Sequence, residues 1–187
     1  KILQGETGSC GPNLFYTIQS NNLEITGGGE MFDFIFNIDS FSEPSSTSPW
    51  NLNKENINNI IFSPDMTTIG SYAFYCFSSL TSIIIPDSII SIGSYSFSRC
   101  SNLTNIIIPD SVLSIGSSTF SYCTNLITIN FPSNLTNFGI NMFDHCSNLK
   151  YISISKNLTI IKSSMFYECS KLETFDIPNK VTIIQPC

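Results

Sequence analysis

The sequence has little charge and few residues suited to acid–base or metal chemistry. Only 12% of its 187 residues are charged, well below the usual quarter or so, and it holds a single histidine. Eight basic residues stand against fourteen acidic ones, which gives a net charge of -6. Eight dispersed cations cannot form a phosphate-binding stripe, so neither nucleic acid nor a polybasic membrane contact is expected.

Long apolar runs are missing as well. No run approaches the roughly 20 apolar residues of a spanning helix, so no membrane span is expected in this chain. The motifs G-x-x-x-x-G-K-[ST], G-x-S-x-G and H-E-x-x-H are absent, so the sequence indicates no enzyme class and no cofactor. Hydrophobic residues nevertheless make up 42% of the chain, enough for a continuous core.

A period of 23 residues dominates what is present. It recurs in columns of Phe, Leu, Cys and Ile that begin at Phe74, Leu80, Cys100, Ile83, Ile85 and Ile92. Five full units follow, at 71–93, 94–116, 117–139, 140–162 and 163–185, and a degenerate unit at 48–70 keeps only its second half. Each unit is too small to bury its own apolar face, so the units must stack around one shared core.

The residues within each unit also predict its local structure. The spacing Leu80-x-x-Ile83-x-Ile85 predicts a strand with both isoleucines inward, and Pro86 followed by Asp87-Ser88 predicts a turn. Ile89-x-x-Ile92 returns to the core. The segment Ser96–Cys100 is too short for a regular helix and predicts a single helical or 3₁₀ turn with Phe and Cys inward. The fold class is therefore a mostly β solenoid within the α/β class.

The first part of the chain predicts a β-hairpin. Leu14–Gln19 and Leu23–Thr26 read as strands around the turn Ser20-Asn21-Asn22, and Gly27-Gly28-Gly29 is expected to end the second strand. Such a hairpin would cover the apolar edge of the first repeat. Residues 1–47 are therefore predicted to be an N-terminal capping segment, and residues 48–187 the repeats.

The repeat resembles a known family. The run Ser96-Phe97…Cys100…Leu103…Ile106…Ile108-Pro109-Asp110-Ser111-Val112…Ile115-Gly116 resembles the BspA-like, or Treponema pallidum-type, leucine-rich repeat. The resemblance covers residues 48 to 187 and implies a leucine-rich repeat solenoid. Residues 10–36 resemble the capping segment of such chains, and Pro49-Trp50 resembles the start of their first strand. Departures are Ser155 for Pro, Lys162 and Gln185 for Gly, and Phe77 for Cys.

The cysteine column and the histidine are the candidates for chemistry. Stacked strands lie about 4.8 Å apart, so the column Cys100, Cys123, Cys146 and Cys169 forms a straight ladder that cannot surround one zinc ion. Buried, reduced thiols are predicted, with disulfides or a metal as the alternatives. His145 beside Cys146 would suggest a catalytic pair, but position 145 belongs to a surface column and Cys146 to the core column.

The strand face offers the candidate site. Residues between the inward positions point to solvent, and they give a candidate protein-binding face. Its members are Ile61, Ile84, Ile107, Asn105, Thr128, Asn130 and Tyr151. An exposed β-branched ladder marks a contact surface in one interpretation and simple strand propensity in the other. The turn side, with Arg99, Tyr122, His145 and Glu168, is predicted to offer no continuous stripe.

Three N-glycosylation sequons begin at Asn102, Asn134 and Asn157. The middle residue of each is a core leucine, so the sequons indicate either glycosylation or chance in a chain rich in Asn, Ser and Thr.

A stack of this kind offers an extended surface and no enclosed pocket, which predicts a non-catalytic protein-binding solenoid. The resemblance implies a cell-surface or secreted adhesin whose partner is a host extracellular-matrix or cell-surface protein. The alternative is a scaffold that self-associates through the uncapped end of the repeats. An enzyme is disfavoured, because no convergent polar cluster is visible.

Overall fold

The computed structural model describes residues 5–37, 45–135 and 137–186 and shows a mostly β solenoid of about 5 turns. This confirms the predicted stack of 23-residue repeats. The strands are β1 (Glu6–Ser9), β2 (Leu14–Gln19), β3 (Asn22–Glu30), β4 (Asn59–Ile61), β5 (Asp65–Ile69), β6 (Ser91–Ile92), β7 (Asn105–Ile107), β8 (Ser114–Ile115), β9 (Thr128–Asn130), β10 (Asn137–Phe138), β11 (Tyr151–Ser153), β12 (Ile160–Ile161) and β13 (Ile183–Ile184). Among the described residues, the one helix is a 3₁₀ turn at Asn51–Asn53.

Two parallel ladders run along the solenoid, and both keep the register of the repeat. In the first ladder, formed by β7, β9 and β11, Asn105 pairs with Thr128, and Thr128 pairs with Tyr151. In the second, Ser91 of β6 pairs with Ser114 of β8. The sequence predicted the first ladder but not the second, because β6, β8 and β10 contribute only two paired residues each.

The repeat columns form the core. Burial along β7 runs exposed, buried, exposed, so Ile106 points inward between Asn105 and Ile107, as the strand spacing predicts. The rings of Phe97 and Phe120 stack at a centroid distance of 6.0 Å. The fully buried members of the Phe, Leu and Cys columns are Phe74, Phe97, Phe120, Phe143, Leu80, Leu103, Leu126, Leu149, Cys100, Cys123 and Cys146.

The predicted hairpin is present, but its second strand does not end at the glycines. β3 continues through Gly27 and Gly29, whose φ angles are 94° and 91°. A side chain at Gly27 would overlap the carbonyl oxygen of Asn13, so only glycine fits there. The bend lets the start of β3 pair with β4 and its end pair with β5, so the hairpin is continuous with the second ladder through β5. Because hairpin and repeats share this pairing, the boundary at residue 47 stays a prediction.

The segment predicted as a helical or 3₁₀ turn is a series of hydrogen-bonded turns. In each repeat, two residues adopt left-handed backbone conformations, such as Tyr95 at φ 58° and Arg99 at φ 62°. These left-handed residues direct every second N–H toward the next coil, whereas a helix would keep its hydrogen bonds within one coil. The N–H groups of Tyr95, Phe97 and Arg99 donate to the carbonyl oxygens of Ser117, Thr119 and Ser121.

Trp50 lies outside any strand, contrary to the expectation that it starts the first one. Its ring stacks on Phe74 with a centroid distance of 5.6 Å and an interplanar angle of 10°. Its Nε1–H donates to the carbonyl oxygen of Ala73 at 2.6 Å. Trp50 therefore continues the phenylalanine column toward the hairpin. The periodicity missed it because Trp50 stands 24 residues before Phe74, one more than the period.

The last coil departs from the predicted core. Ile177 and Ile184 occupy inward columns, yet 52% and 62% of their surface is exposed. Within the described chain, β13 pairs with β12 alone, so this coil has a neighbour on one side only. None of the described residues forms a helix with the length and apolar character needed to cross a bilayer.

Candidate functional site

The strand face presents side chains in aligned rows, because each strand pairs with the next in the register of the repeat. Asn105 and Ile107 of β7 are exposed, and Asn130 of β9 is exposed directly beside Ile107. Thr128 is half-buried next to Asn105. Adjacent rungs of a sheet are about 4.8 Å apart, so one elongated ligand can contact several rungs together.

The isoleucine row is the most apolar part of this face. The exposed fractions are 47% for Ile61, 86% for Ile84 and 73% for Ile107. Ile84 and Ile107 lie on adjacent coils and are joined by a parallel β-bridge. Beyond Ile107 the row turns polar with Asn130 and Ser153. The structure thus places all three predicted isoleucines together on the first half of the face.

The first ladder opens between Ile61 and Ile84. Among the described strands, β4 pairs with β3 alone, whereas Ile84 is bridged to the coil that follows it. The opening forms a groove of about 380 Å³ that Phe62, Pro64 and Pro86 line together with the two isoleucines. The groove is largely apolar, and Asn59 and Ser82 are the polar residues among those that line it. An apolar side chain of a partner would fit this opening.

Tyr151 stands at the polar end of the face, where half of its surface is exposed. Its hydroxyl donates to Glu173 Oε2 at 3.2 Å, and Glu173 Oε1 lies 3.9 Å from Lys150 Nζ. The ring is therefore held on the coil surface by a neighbour on the next coil. An exposed aromatic ring in a fixed orientation is a suitable anchor for a protein partner.

The three sequon asparagines are exposed, but their amide groups are already in use. Asn102 Nδ2 donates to the carbonyl oxygen of Ser78 at 2.8 Å, and Asn134 Nδ2 donates to that of Asp110 at 2.8 Å. Asn157 Nδ2 donates to the carbonyl oxygen of Ser133 at 3.1 Å. A glycan would replace one N–H of each amide, so glycosylation at these positions stays a prediction. The final Thr136 of the second sequon lies outside the described residues.

The turn side carries a continuous stripe, and the prediction that it would not is wrong. The Arg99 guanidinium lies 4.4 Å above the Tyr122 ring, which stacks on His145 at a centroid distance of 4.4 Å. His145 in turn contacts Tyr167 at 5.6 Å. We call Arg99, Tyr122, His145 and Tyr167 the surface ladder. Side chains of different type give one stripe because flat groups of any kind can stack at this spacing.

The geometry at His145 does not favour a Cys–His pair. His145 Nδ1 lies 2.7 Å from Asp144 Oδ1, and the ring stacks on Tyr122. The Cys146 thiol points away into the core and donates to the carbonyl oxygen of Phe120 at 3.0 Å. His145 therefore has the role of a stacked surface residue.

The cysteine column is a ladder of thiol hydrogen bonds. Cys100 Sγ donates to the Phe74 carbonyl oxygen at 3.3 Å, and Cys123 Sγ donates to that of Phe97 at 3.2 Å. Burial raises the pKa of the Cys123 thiol well above its ordinary value of 9.0, and it raises the pKa of Cys169 to about 12. In the described ranges, no group of three or more His, Cys, Asp or Glu side chains is arranged to hold a metal ion.

Comparisons with known proteins agree with this geometry. The family model of the BspA type leucine rich repeat region matches residues 6–83 and 67–187, with six copies. A leucine rich cell surface protein from Faecalibacterium prausnitzii superimposes with a TM-score of 0.65 at 25% identity, over 98% of this chain and 51% of that protein. The T. pallidum leucine rich repeat protein superimposes with a TM-score of 0.66 at 23% identity, over 88% of this chain and 78% of that one.

The chain thus spans about half the length of the F. prausnitzii protein. No curated protein sequence matches it significantly.

Proposed function

The chain belongs to the BspA-type leucine-rich repeat family, and from this premise we propose that it is a non-catalytic protein-binding module of a cell-surface or secreted protein. The observation that supports binding is the isoleucine row with its groove between Ile61 and Ile84. Exposed aliphatic side chains gathered on one face of a rigid sheet favour contact with a partner, because such a contact removes their apolar surface from water.

The proposed partner is a host extracellular-matrix or cell-surface protein, which would make the module an adhesin. Support for the location comes from the F. prausnitzii relative, which is described as a cell surface protein. The apolar first half of the face would provide most of the buried area, and Tyr151 would add an aromatic anchor on the polar half.

The test is a binding array of purified matrix and cell-surface proteins, probed with the wild-type chain and with Ile84→Asp/Ile107→Asp. The double variant places two charges in the proposed dry contact, so we expect at least a tenfold loss of affinity, at about 1.4 kcal/mol per factor of ten. Both side chains are exposed, so circular dichroism should stay unchanged, while the two carboxylates that face each other across the β-bridge should lower the melting temperature only slightly.

The matched control is Leu52→Asp/Ile140→Asp, which replaces two exposed aliphatic residues away from the face. This control should bind as the wild type does. Equal binding by the wild type and the Ile84→Asp/Ile107→Asp variant would refute the site, and no binding to any protein on the array would refute the adhesin role.

Self-assembly through the end of the repeats is the second candidate. The observation that favours it is the exposure of Ile177, Ile183 and Ile184 on the last coil. Substitution of Ile177 and Ile184 by Asp should then dissolve assemblies that the Ile84→Asp/Ile107→Asp variant leaves intact. Size-exclusion chromatography with light scattering distinguishes the two candidates.

A further inference from the structure

Charge is divided unevenly along the solenoid. Residues 1–116 carry ten acidic and three basic side chains, and residues 117–139 carry none. Residues 140–187 carry four acidic and five basic side chains. Because successive residues along the chain become successive coils, this asymmetry in sequence is an asymmetry in space, from an acidic hairpin end to a weakly basic far end.

The separation of acidic and basic side chains is clearest on one surface. Each coil leaves the strand face through a tight turn in which an N–H donates to the carbonyl oxygen three residues earlier. The turns begin at residue 86 in the first full unit and recur through the last one. We call the stack of turns at 86–89, 109–112, 132–135, 155–158 and 178–181 the turn row.

The turn row changes sign along its length. Asp87 and Asp110 occupy the first two turns, and Lys156 and Lys180 occupy the last two. The middle turn, at residues 132–135, carries no charge. All four charged residues are exposed. The acidic and basic parts are therefore equidistant from one neutral centre.

Within the described residues, none of these four charges takes part in an ion pair. In the part of the chain that the structure describes, the ion pairs within 4.0 Å involve His145–Asp144 and Lys150–Glu173, not the turn row. Lys180 Nζ donates to the neutral amide oxygen of Asn157 at 2.6 Å. Asp176 lines the same groove as Lys156 and Lys180 but forms no ion pair with them, so the two lysines outnumber it.

We propose that the turn row is a self-complementary surface that binds the turn row of a second copy of this chain in antiparallel orientation. A two-fold axis through the neutral turn at 132–135 places Asp110 opposite Lys156 of the second copy and Asp87 opposite its Lys180. The symmetry repeats both contacts, which gives four ion pairs.

The distances match in number of coils, although Lys180 stands third in its turn where Asp87, Asp110 and Lys156 stand second. Asp110 and Lys156 are each one coil from the centre, and Asp87 and Lys180 are each two coils from it. With about 4.8 Å per coil, the four contacts span about 19 Å of each chain. A parallel pairing would instead place like charges together along the whole row. The same charge order therefore favours one orientation and disfavours the other.

A second copy is the partner that this charge order fits best, because one turn row carries both the acidic part and the basic part that would pair with it. Exposed ion pairs are individually weak, so the dimer should be weak and sensitive to salt. The turn row contains none of the exposed isoleucines on which the proposed function and its alternative depend, although Pro86 also lines the groove and the turn at 178–181 belongs to the last coil.

The test is sedimentation velocity of the full chain over a concentration series at low salt. We expect a reversible dimer that weakens at least about tenfold when salt is raised from about 0.02 M to about 0.5 M, because the screening length falls to a few ångströms. A wild-type chain that stays monomeric up to millimolar concentration at low salt would overturn the proposal.

Two charge-reversed variants identify the surface. Asp87→Lys/Asp110→Lys makes the turn row wholly basic, and Lys156→Asp/Lys180→Asp makes it wholly acidic. Neither should form a dimer with itself, yet a mixture of the two should form a heterodimer. Both variants keep a negative net charge, so association in the mixture must come from the row and not from overall charge.

The matched control is Glu55→Lys/Glu168→Lys, which makes the same change in net charge at exposed positions outside the row. It should form homodimers as the wild type does, and it should not rescue Lys156→Asp/Lys180→Asp in a mixture. Homodimers of either row variant, or failure of their mixture to associate while both stay folded by circular dichroism, would place the contact elsewhere and refute the antiparallel row.

Discussion

The phenylalanine column and the surface ladder follow the same 23-residue period, yet they differ in composition. Inside, Phe97, Phe120 and Phe143 stack as identical rings at 6.0 Å intervals. Outside, Arg99, Tyr122 and His145 stack with 4.4 Å between neighbours, although no two are the same residue. The interior repeats the residue because a fixed volume must be filled on every coil. The surface repeats only the stacking, because one side of each group meets water.

The largest expected loss of stability follows from removing a ring from the interior. Phe120 is fully buried between Phe97 and Phe143, so Phe120→Ala leaves a cavity in the middle of the stack. We expect a loss of about 3–5 kcal/mol in the free energy of unfolding, measured by urea denaturation. Arg99→Ala, which removes a group of the surface ladder, should cost less than about 1 kcal/mol. Similar costs for the two variants would contradict the assignment of interior and surface.

The second difference between the interior and the surface concerns ionisation, and the cysteine column shows it. Burial raises the pKa of the Cys123 thiol, so the folded state favours its neutral form, whereas the unfolded thiol ionises near pH 9.0. The stability from this thiol is therefore complete below pH 9.0 and is lost as the pH rises above it. Above that pH, the wild type should lose up to about 1.4 kcal/mol more per pH unit than Cys123→Ala.

The measurement is urea denaturation of both proteins between pH 8 and about pH 10.5, under a reducing agent. Arg99→Ala serves as the control, since it alters the surface ladder and keeps every thiol. Identical pH dependence in the wild type and Cys123→Ala would mean that this thiol is accessible to water. Thiol titration and metal assay on the same samples test the prediction that the column is reduced and free of metal.

The interior was predictable from the sequence because it repeats residues. In the coils before the last one, six aligned columns were sufficient to predict which side chains are buried and which strand residues alternate outward, and Ile84 and Ile107 of the candidate site followed from that register. Trp50 was missed for the complementary reason: it performs the role of a column member one residue outside the period.

The surface ladder could not be predicted in the same way. Arg, Tyr and His differ in volume and in hydrophobicity, so the sequence does not show them as members of one column. Only the left-handed backbone that each residue adopts aligns them. Exposure on the last coil was missed for another reason. The column of Ile184 reads as core, but burial requires a following coil, and a residue's own repeat cannot show whether one is present.

The smallest expected effect on stability is at the surface ladder. Tyr122 contacts Arg99 on one face and His145 on the other, and its ring is only half-buried. Tyr122→Ala should cost about 1 kcal/mol, while Tyr122→Phe keeps the ring and should cost almost nothing, because the stack depends on the flat face rather than on the hydroxyl.

A double-mutant cycle isolates the contact between the guanidinium and the ring. The coupling energy between Arg99→Ala and Tyr122→Ala should be about 0.5–1 kcal/mol in favour of the pair, measured by urea denaturation. The same cycle between Arg99→Ala and Phe120→Ala should show coupling near zero, since the interior ring does not contact the guanidinium in this arrangement. Coupling of several kcal/mol at Tyr122 would mean that the ladder is part of the core, and the distinction between a uniform interior and a variable surface would then fail at this column.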